Sequence, residues 1–309
     1  MSRAPLSGTA IGIWLKLGSV ACFIAMSALL KIAADEVPSG EMVFFRSFFA
    51  IPITVVWLLA RGDLSTGLRV ASPMGHIWRG IIGTSAMGLM FTGIGLLPLP
   101  EVTAIGYAAP ILVVVFAAMF LGEEVRAFRL SAVALGMIGV LIILSPRLSG
   151  IGDHRAALGA VVTLMGAVFA ALAQIFIRKL TKTETTSAIV FWFSCTAAAL
   201  SLVTLPFGWV IPSPATAALL VLAGLIGGVA QIFLTSAYRA ADASIVAPFE
   251  YASMLMALGV GYVAFDEVPT LPMLGGAGIV ILAGAMIIWR ERQLGLERAK
   301  ARKAISPSG

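Results

Sequence analysis

Charge is what this chain has least of. Aspartate, glutamate, lysine and arginine make up only 12% of its 309 residues, about half of the ~25% that a water-soluble domain uses to cover itself. An exterior so short of charge faces something other than water, which argues against an ordinary soluble enzyme. Cysteine is nearly absent too. Cys22 and Cys195 each fall inside an apolar run, so neither reads as a disulfide partner or metal ligand, and both are expected to be small buried thiols. His76 opens a helix beside Trp78 and Arg79, His154 lies in a loop, and neither is expected to be catalytic. There is no GxxxxGK-Ser/Thr loop to cradle a nucleotide, no HExxH, and no Ser/His/Asp placement or converging carboxylates. Neither cofactor nor metal is expected.

What the chain has in excess is apolar length. Hydrophobic residues account for 60% of it, and the mean hydropathy is +1.01. A run of about 20 apolar residues crosses a bilayer as a helix. Reading such runs between charges and Pro/Gly punctuation predicts ten helices, over 11–33, 42–60, 76–96, 102–121, 128–144, 156–177, 186–207, 215–238, 243–265 and 271–289. The expected fold is all-α and membrane-embedded, with no soluble domain between spans. The first run follows Arg3 and Lys16 and is read as an uncleaved span, not a signal peptide, because further spans follow.

The net charge of +6 is concentrated where a membrane protein keeps it. With the N-terminus in the cytoplasm, seventeen of the 21 basic residues fall on the inside, and only Lys31, Arg147 and Arg155 fall outside. Arg290, Arg292, Arg298, Lys300, Arg302 and Lys303 form a basic tail suited to anionic lipid. No aromatic residues interleave with that cluster, so nucleic acid is not an expected partner. Both termini are expected in the cytoplasm.

The two halves of the chain resemble each other weakly. Glu101 aligns with Asp242 and Thr103 with Ser244, and Gly122-Glu123-Glu124-Val125 aligns with Phe265-Asp266-Glu267-Val268 after a two-residue slip. An odd number of helices in each half makes the second half enter the membrane in the opposite sense, the plan of inverted-repeat transporters with a site near the midplane. The segments FFRS (44–47), HIWRG (76–80), AAPILVVVFAAMFLGEE (108–124) and DASIVAPFEYASMLMALGVGYVAFDEVP (242–269) keep this order and spacing. Together they resemble the drug/metabolite transporter superfamily with two EamA-type halves, over about residues 10–292. HIWRG and APFEY look most like a bacterial subgroup that includes S-adenosylmethionine and riboflavin uptake carriers. The resemblance implies two inverted five-helix repeats around a central cavity, with halves at 10–148 and 156–292 and a cytoplasmic tail at 293–309. It also implies metabolite transport across the inner (cytoplasmic) membrane.

Within the predicted spans Glu250 and Arg46 stand out. A charged side chain deep in a membrane helix costs roughly 3 kcal/mol or more and by default marks a pathway or binding site. Neither charge recurs in the other half, where Ala109 stands opposite Glu250 and Trp192 or Phe193 opposite Arg46. Ala243, Ala247, Glu250, Met254, Ala257 and Gly261 form one seam at spacings of four and three, mostly small, which also suits plain helix packing. Pro110 and Pro248 leave the carbonyls of Gly106 and Ser244 without their helical donors. The aligned halves read Tyr107-x-x-Pro110 and Pro248-x-x-Tyr251, a kink and a phenol in each, although tyrosine also serves as an interfacial anchor. Gln231 falls at a depth near that of Glu250. Phe249 is a candidate to stack on a flat ligand, although ordinary packing is the safer reading of any one aromatic in so apolar a chain.

The candidate substrate-binding set is thus Glu250, Tyr251, Tyr107, Gln231, Phe249 and Arg46. About 10 Å along the membrane normal separates Arg46 from Glu250, so a water- or substrate-mediated link is expected rather than a direct bridge. Burial disfavours the charged form of a carboxylate, which makes Glu250 a candidate for exchanging a proton or binding an amine or imide.

The function expected is secondary transport of a small organic metabolite by alternating access, with the proton as candidate coupling ion. An amino acid or derivative, riboflavin or an S-adenosylmethionine-like compound fits. With Arg46 as the one interior cation, cationic, zwitterionic or neutral heterocyclic solutes are expected over anionic phosphates. An exporter of the same superfamily, a channel and a membrane-embedded enzyme are the alternatives. Substrate, direction and oligomeric state stay open.

Overall fold

A peptide group in hydrocarbon has no water to bond, so long apolar segments close their hydrogen bonds within themselves as helices. In the computed structural model, described for residues 8–121, 127–149, 154–180, 183–240, 249–250 and 252–305, no strand occurs among the described residues. The helices are α1 (Gly8–Ala33), α2 (Ser39–Phe48), α3 (Ala50–Ala60), α4 (Leu64–Gly67), α5 (Pro73–Leu96), α6 (Leu99–Gly106) and α7 (Ala108–Leu121). They continue with α8 (Ala127–Ser149), α9 (His154–Leu180), α10 (Thr186–Ser201), α11 (Pro214–Ala240), α12 (Ala252–Phe265) and α13 (Leu271–Ile305).

Five stretches among the described residues are long and apolar enough to cross a membrane: Ala10–Ala33, Ser39–Ala60, His154–Ile177, Thr186–Thr204 and Pro214–Ala237. Leu99–Val113, Ala134–Ile143, Ala252–Phe265 and Leu271–Met286 are apolar but shorter. Local chemistry explains where helices break. Pro52 and Pro110 lack an N–H, and the helix interrupts at Phe49 and Tyr107, one residue beyond the carbonyls they leave without a donor. The seventh expected helix stops short of 207. The Ser201 and Thr204 hydroxyls bond the carbonyls of Ala198 (2.7 Å) and Ser201 (2.6 Å), tightening the last turn into a 3-10 turn ahead of Pro206. Of the ninth, Pro248, Ala243, Ala247 and Tyr251 lie outside the described residues.

Three antiparallel pairs build the bundle, each joining a helix before residue 150 to one after it. Along α1 and α11, Gly18 meets Phe233, Met26 meets Gly227, and Glu36 just past α1 reaches Ser213 and Thr216 at the start of α11. Along α5 and α9, Met90 meets Gly166 and Leu97 meets Gly159. α8 and α13 touch backbone to backbone: a Cβ on Gly276 would lie 2.5 Å from the Gly139 carbonyl oxygen, and one on Gly139 would lie 2.8 Å from that of Gly276. Lipid tails are as apolar as leucine, so such contacts hold helices together by close packing rather than by expelling water. Leu30, Ile105, Ile111, Leu220 and Met273 fill the centre, while Phe207, Ile211, Leu255, Val263 and Leu271 stand exposed on an exterior made for lipid.

Candidate functional site

Two polar constellations lie inside the bundle. The first gathers around Glu250, which precedes α12. Its carboxylate pairs with the Lys16 ammonium from α1, a lysine only 1% exposed, while the Glu250 side chain keeps 42% of its surface. Lys16 is thus interior to α1, not a flanking charge, because the helix already starts at Gly8, two turns before it. Ser253 links the pair to the first half. Its hydroxyl donates to the Glu250 carbonyl oxygen at 2.6 Å and meets the Tyr107 hydroxyl at 2.6 Å. Serine has a single hydroxyl proton, so Tyr107 is the donor to Ser253. Tyr107 occupies the break between α6 and α7, where the interrupted helix turns its buried ring inward. Met254, Ala257 and Gly261 continue the expected seam and are buried. Phe249 is half-buried.

The second constellation is built on two arginines. Arg46 of α2 is 4% exposed and Arg79 of α5 is 7% exposed. Both guanidiniums lie against the ring of Phe193 in α10, at 5.8 and 3.9 Å from its centroid. Among the described residues, Nε of Arg46 and both Nε and Nη1 of Arg79 have no hydrogen-bond partner. Among the described residues no carboxylate stands within ion-pair distance of either arginine. Arg79 lines a small cavity of about 40 Å³ with Ile177, Thr186, Ile189, Val190, Phe193, Gln231 and Thr235. The expected residue Gln231 is therefore brought to the cavity that Arg79 lines. Glu250 is not among the residues lining this cavity. The two constellations flank one stretch of α11: Ser19 of α1 donates to the Ala230 carbonyl at 2.9 Å, and Gln231 and Thr235 face the cavity.

Arg46 is thus not the one interior cation. Arg79 stands beside His76 and Trp78 near a helix start, but α5 starts at Pro73, which carries Arg79 more than a turn into the bundle. The available signal was Gly83, one turn on, whose missing side chain leaves room for the Arg79 guanidinium.

A third cluster closes the far end of the bundle. Lys31 of α1 pairs with Glu267 at 2.8 Å and donates to the Leu97 carbonyl at 2.7 Å, and Glu267 accepts from the Leu99 N–H at 2.9 Å. Asp266 takes a left-handed conformation (φ 52°) to aim Glu267 back at them.

Comparison with known proteins agrees with this architecture. Residues 10–145 and 157–289 each match the EamA-like transporter family. A pseudopaline exporter of Pseudomonas aeruginosa is 32% identical over 265 residues, 84% of this chain and 90% of that protein. A riboflavin transporter of Rhizobium johnstonii is 29% identical, over 82% of each chain. An S-adenosylmethionine uptake transporter of Rickettsia felis is 26% identical, over 92% of this chain and 94% of its own. These relatives are transporters, not enzymes. A solved crystal structure superposes with a TM-score of 0.66 over 92% of this chain and 99% of that one; at 20% identity it speaks to the fold alone.

Proposed function

The chain belongs to the EamA-like transporter family, and from that premise we propose that it is a secondary carrier moving a small organic metabolite across the cytoplasmic membrane by alternating access. Its ten spans form two inverted five-helix halves, 10–148 and 156–292, followed by a basic cytoplasmic tail at 293–309. The cross-half pairs support this plan: exchanging the halves turns the α1–α11 pair into the α9–α5 pair and returns α8–α13 to itself. Both termini lie in the cytoplasm, where most basic residues collect.

The observation that carries the reading is the Lys16–Glu250 pair, joined through Ser253 to Tyr107. Charges from both halves meet inside a largely apolar bundle, next to a broken helix whose freed backbone is a common feature of transporter sites. Glu250, Tyr251, Tyr107, Gln231, Phe249 and Arg46 contact the solute. Protonation of Glu250, or its engagement by a solute cation, releases Lys16 and loosens α1 from α12. The Lys31–Glu267 contact closes the outer end while the arginine cavity faces the cytoplasm. The relatives include uptake carriers and an exporter, and the proposal spans both directions.

Solute counterflow in proteoliposomes tests it. A carrier shows saturable uptake accelerated by the same solute on the far side. Uptake linear in concentration with no acceleration is the mark of a pore and ends the reading.

A further inference from the structure

We propose that Arg79 and Arg46, held on the ring of Phe193, form the seat for a carboxylate group of the transported solute. This rests on the carrier reading above and narrows its substrate class to organic acids and zwitterions, among which an anionic group is required.

The physical case begins with cost. A charge taken out of water without a partner is unfavourable by several kcal/mol, and buried cations are paired almost everywhere they occur. Here two guanidiniums lie against one phenyl ring, at 5.8 and 3.9 Å from its centroid, so each also raises the cost of the other. A ring quadrupole offsets only part of that, about 0.5–2 kcal/mol per cation. Three of their nitrogens find no acceptor among the described residues, and a buried donor left unsatisfied costs about 1–3 kcal/mol more. Among the described residues no carboxylate pairs with Arg46 or Arg79. Glu250 is taken by Lys16, and Glu184, its side chain buried near the start of α5, lies 3.5 Å from His76 and accepts from the Ala71 and Ser72 N–H groups. Of the other buried acids, Glu41 turns away to accept from the Val210 N–H at 3.2 Å, and Glu101 sits in the first turn of α6. An arrangement so unfavourable alone becomes favourable when an anion completes it.

The geometry selects the anion. Guanidinium is a planar fork that matches a carboxylate in two parallel hydrogen bonds. Arg79 and Gln231 together line the cavity beside Phe193. Its volume of about 40 Å³ is room for a group of only a few heavy atoms, on the order of three waters, as a carboxylate is. Gly83 is part of the design, because any side chain there would collide with the Arg79 guanidinium and the Phe193 ring.

The experiment uses the full chain in proteoliposomes loaded with the small-molecule extract of bacterial cells, with exit of each solute read by mass spectrometry against protein-free liposomes. The solutes that leave are expected to carry a carboxylate, and the amide of the fastest one is expected to leave roughly 30-fold more slowly or worse. Arg79→Gln is expected to slow that acid by a similar factor, and Arg79→Lys, which keeps the charge but loses the fork, to fall between. The wild-type acid-against-amide comparison needs no variant to fold, and Arg46→Gln supplies an independent second one. Exit of solutes that lack a carboxylate, or equal exit of acid and amide, overturns the seat and leaves the carrier standing. No exit above the protein-free rate removes the carrier reading and the seat with it.

Discussion

Lys31 and Glu267 meet at 2.8 Å, joining the end of α1 to the end of α12. By helical rise this contact lies about 25 Å along α5 from Arg79. Lys16 and Glu250 join the same two segments of chain at the other end. α1 and the chain around α12 are therefore latched twice, once toward each end, and the proposed alternating access has the latches open in turn.

The outer latch is predicted to act by charge. Glu267→Gln removes the ion pair and weakens the bond from Leu99, costing about 2 kcal/mol and raising solute leak at low temperature. Exchanging the charges, Lys31→Glu with Glu267→Lys, is expected to recover part of both losses. Thermal unfolding in detergent and counterflow check the two quantities on one sample.

At the inner latch, stability and transport are expected to separate. Glu250→Gln takes the carboxylate from the buried Lys16 ammonium and costs on the order of 2–3 kcal/mol, less than for a fully buried pair because Glu250 keeps solvent contact. Adding Lys16→Met is expected to restore the unfolding temperature but not counterflow. Recovery of both would make the pair purely structural.

Tyr107→Phe deletes one hydroxyl from the chain Tyr107–Ser253–Glu250 and leaves the ring in place. A loss of about 1 kcal/mol in stability is expected. A change in half-saturating solute concentration, read in the same vesicles, marks the phenol as part of the site.

Gly139 and Gly276 set the distance between α8 and α13. Gly276→Val drives a side chain into the Gly139 carbonyl, and a loss of about 1–3 kcal/mol or more is expected from overpacking. Size-exclusion profiles and unfolding temperatures report it.

Glu36 predicts a pH dependence outside the membrane. Hydrogen bonds from the Thr216 hydroxyl, then from the Ser213 backbone, hold its carboxyl below the ordinary glutamate value. A depressed folded value contributes stability above the unfolded pKa, about 4.5, and loses it as pH falls through the folded one. Glu36→Gln is therefore expected to lower the unfolding temperature at pH 7, with the difference from wild type vanishing as pH falls below 4.5.

Much of the helical framework was legible in the sequence because hydrocarbon permits few alternatives to a helix. The first run was expected at 11–33 and observed as Gly8–Ala33, and Pro110 breaks its helix where its missing N–H requires. The break before Pro52 went unread, although the same rule applies to it. Partners were not legible. Lys16 and Glu250 lie 234 positions apart, and no local pattern reports a contact of that range. Arg79 was hidden by its place near a helix start, where a charge ordinarily reaches water; only packing against α10 reveals that this turn is buried. Apolar neighbours on both sides of Lys16 were the one cue that its ammonium is interior.

Access to the arginine cavity from the two membrane faces tests the central claim most directly. With Cys22 and Cys195 replaced by serine, a single cysteine at Thr235 is probed in oriented vesicles with a membrane-impermeant maleimide. Alternating access predicts labelling from the cytoplasmic face at rest, slowed by solute, and labelling from the outer face once Glu267→Gln opens the other latch. Labelling from both faces at once, indifferent to solute, or from the cytoplasmic face alone under every condition, contradicts the account.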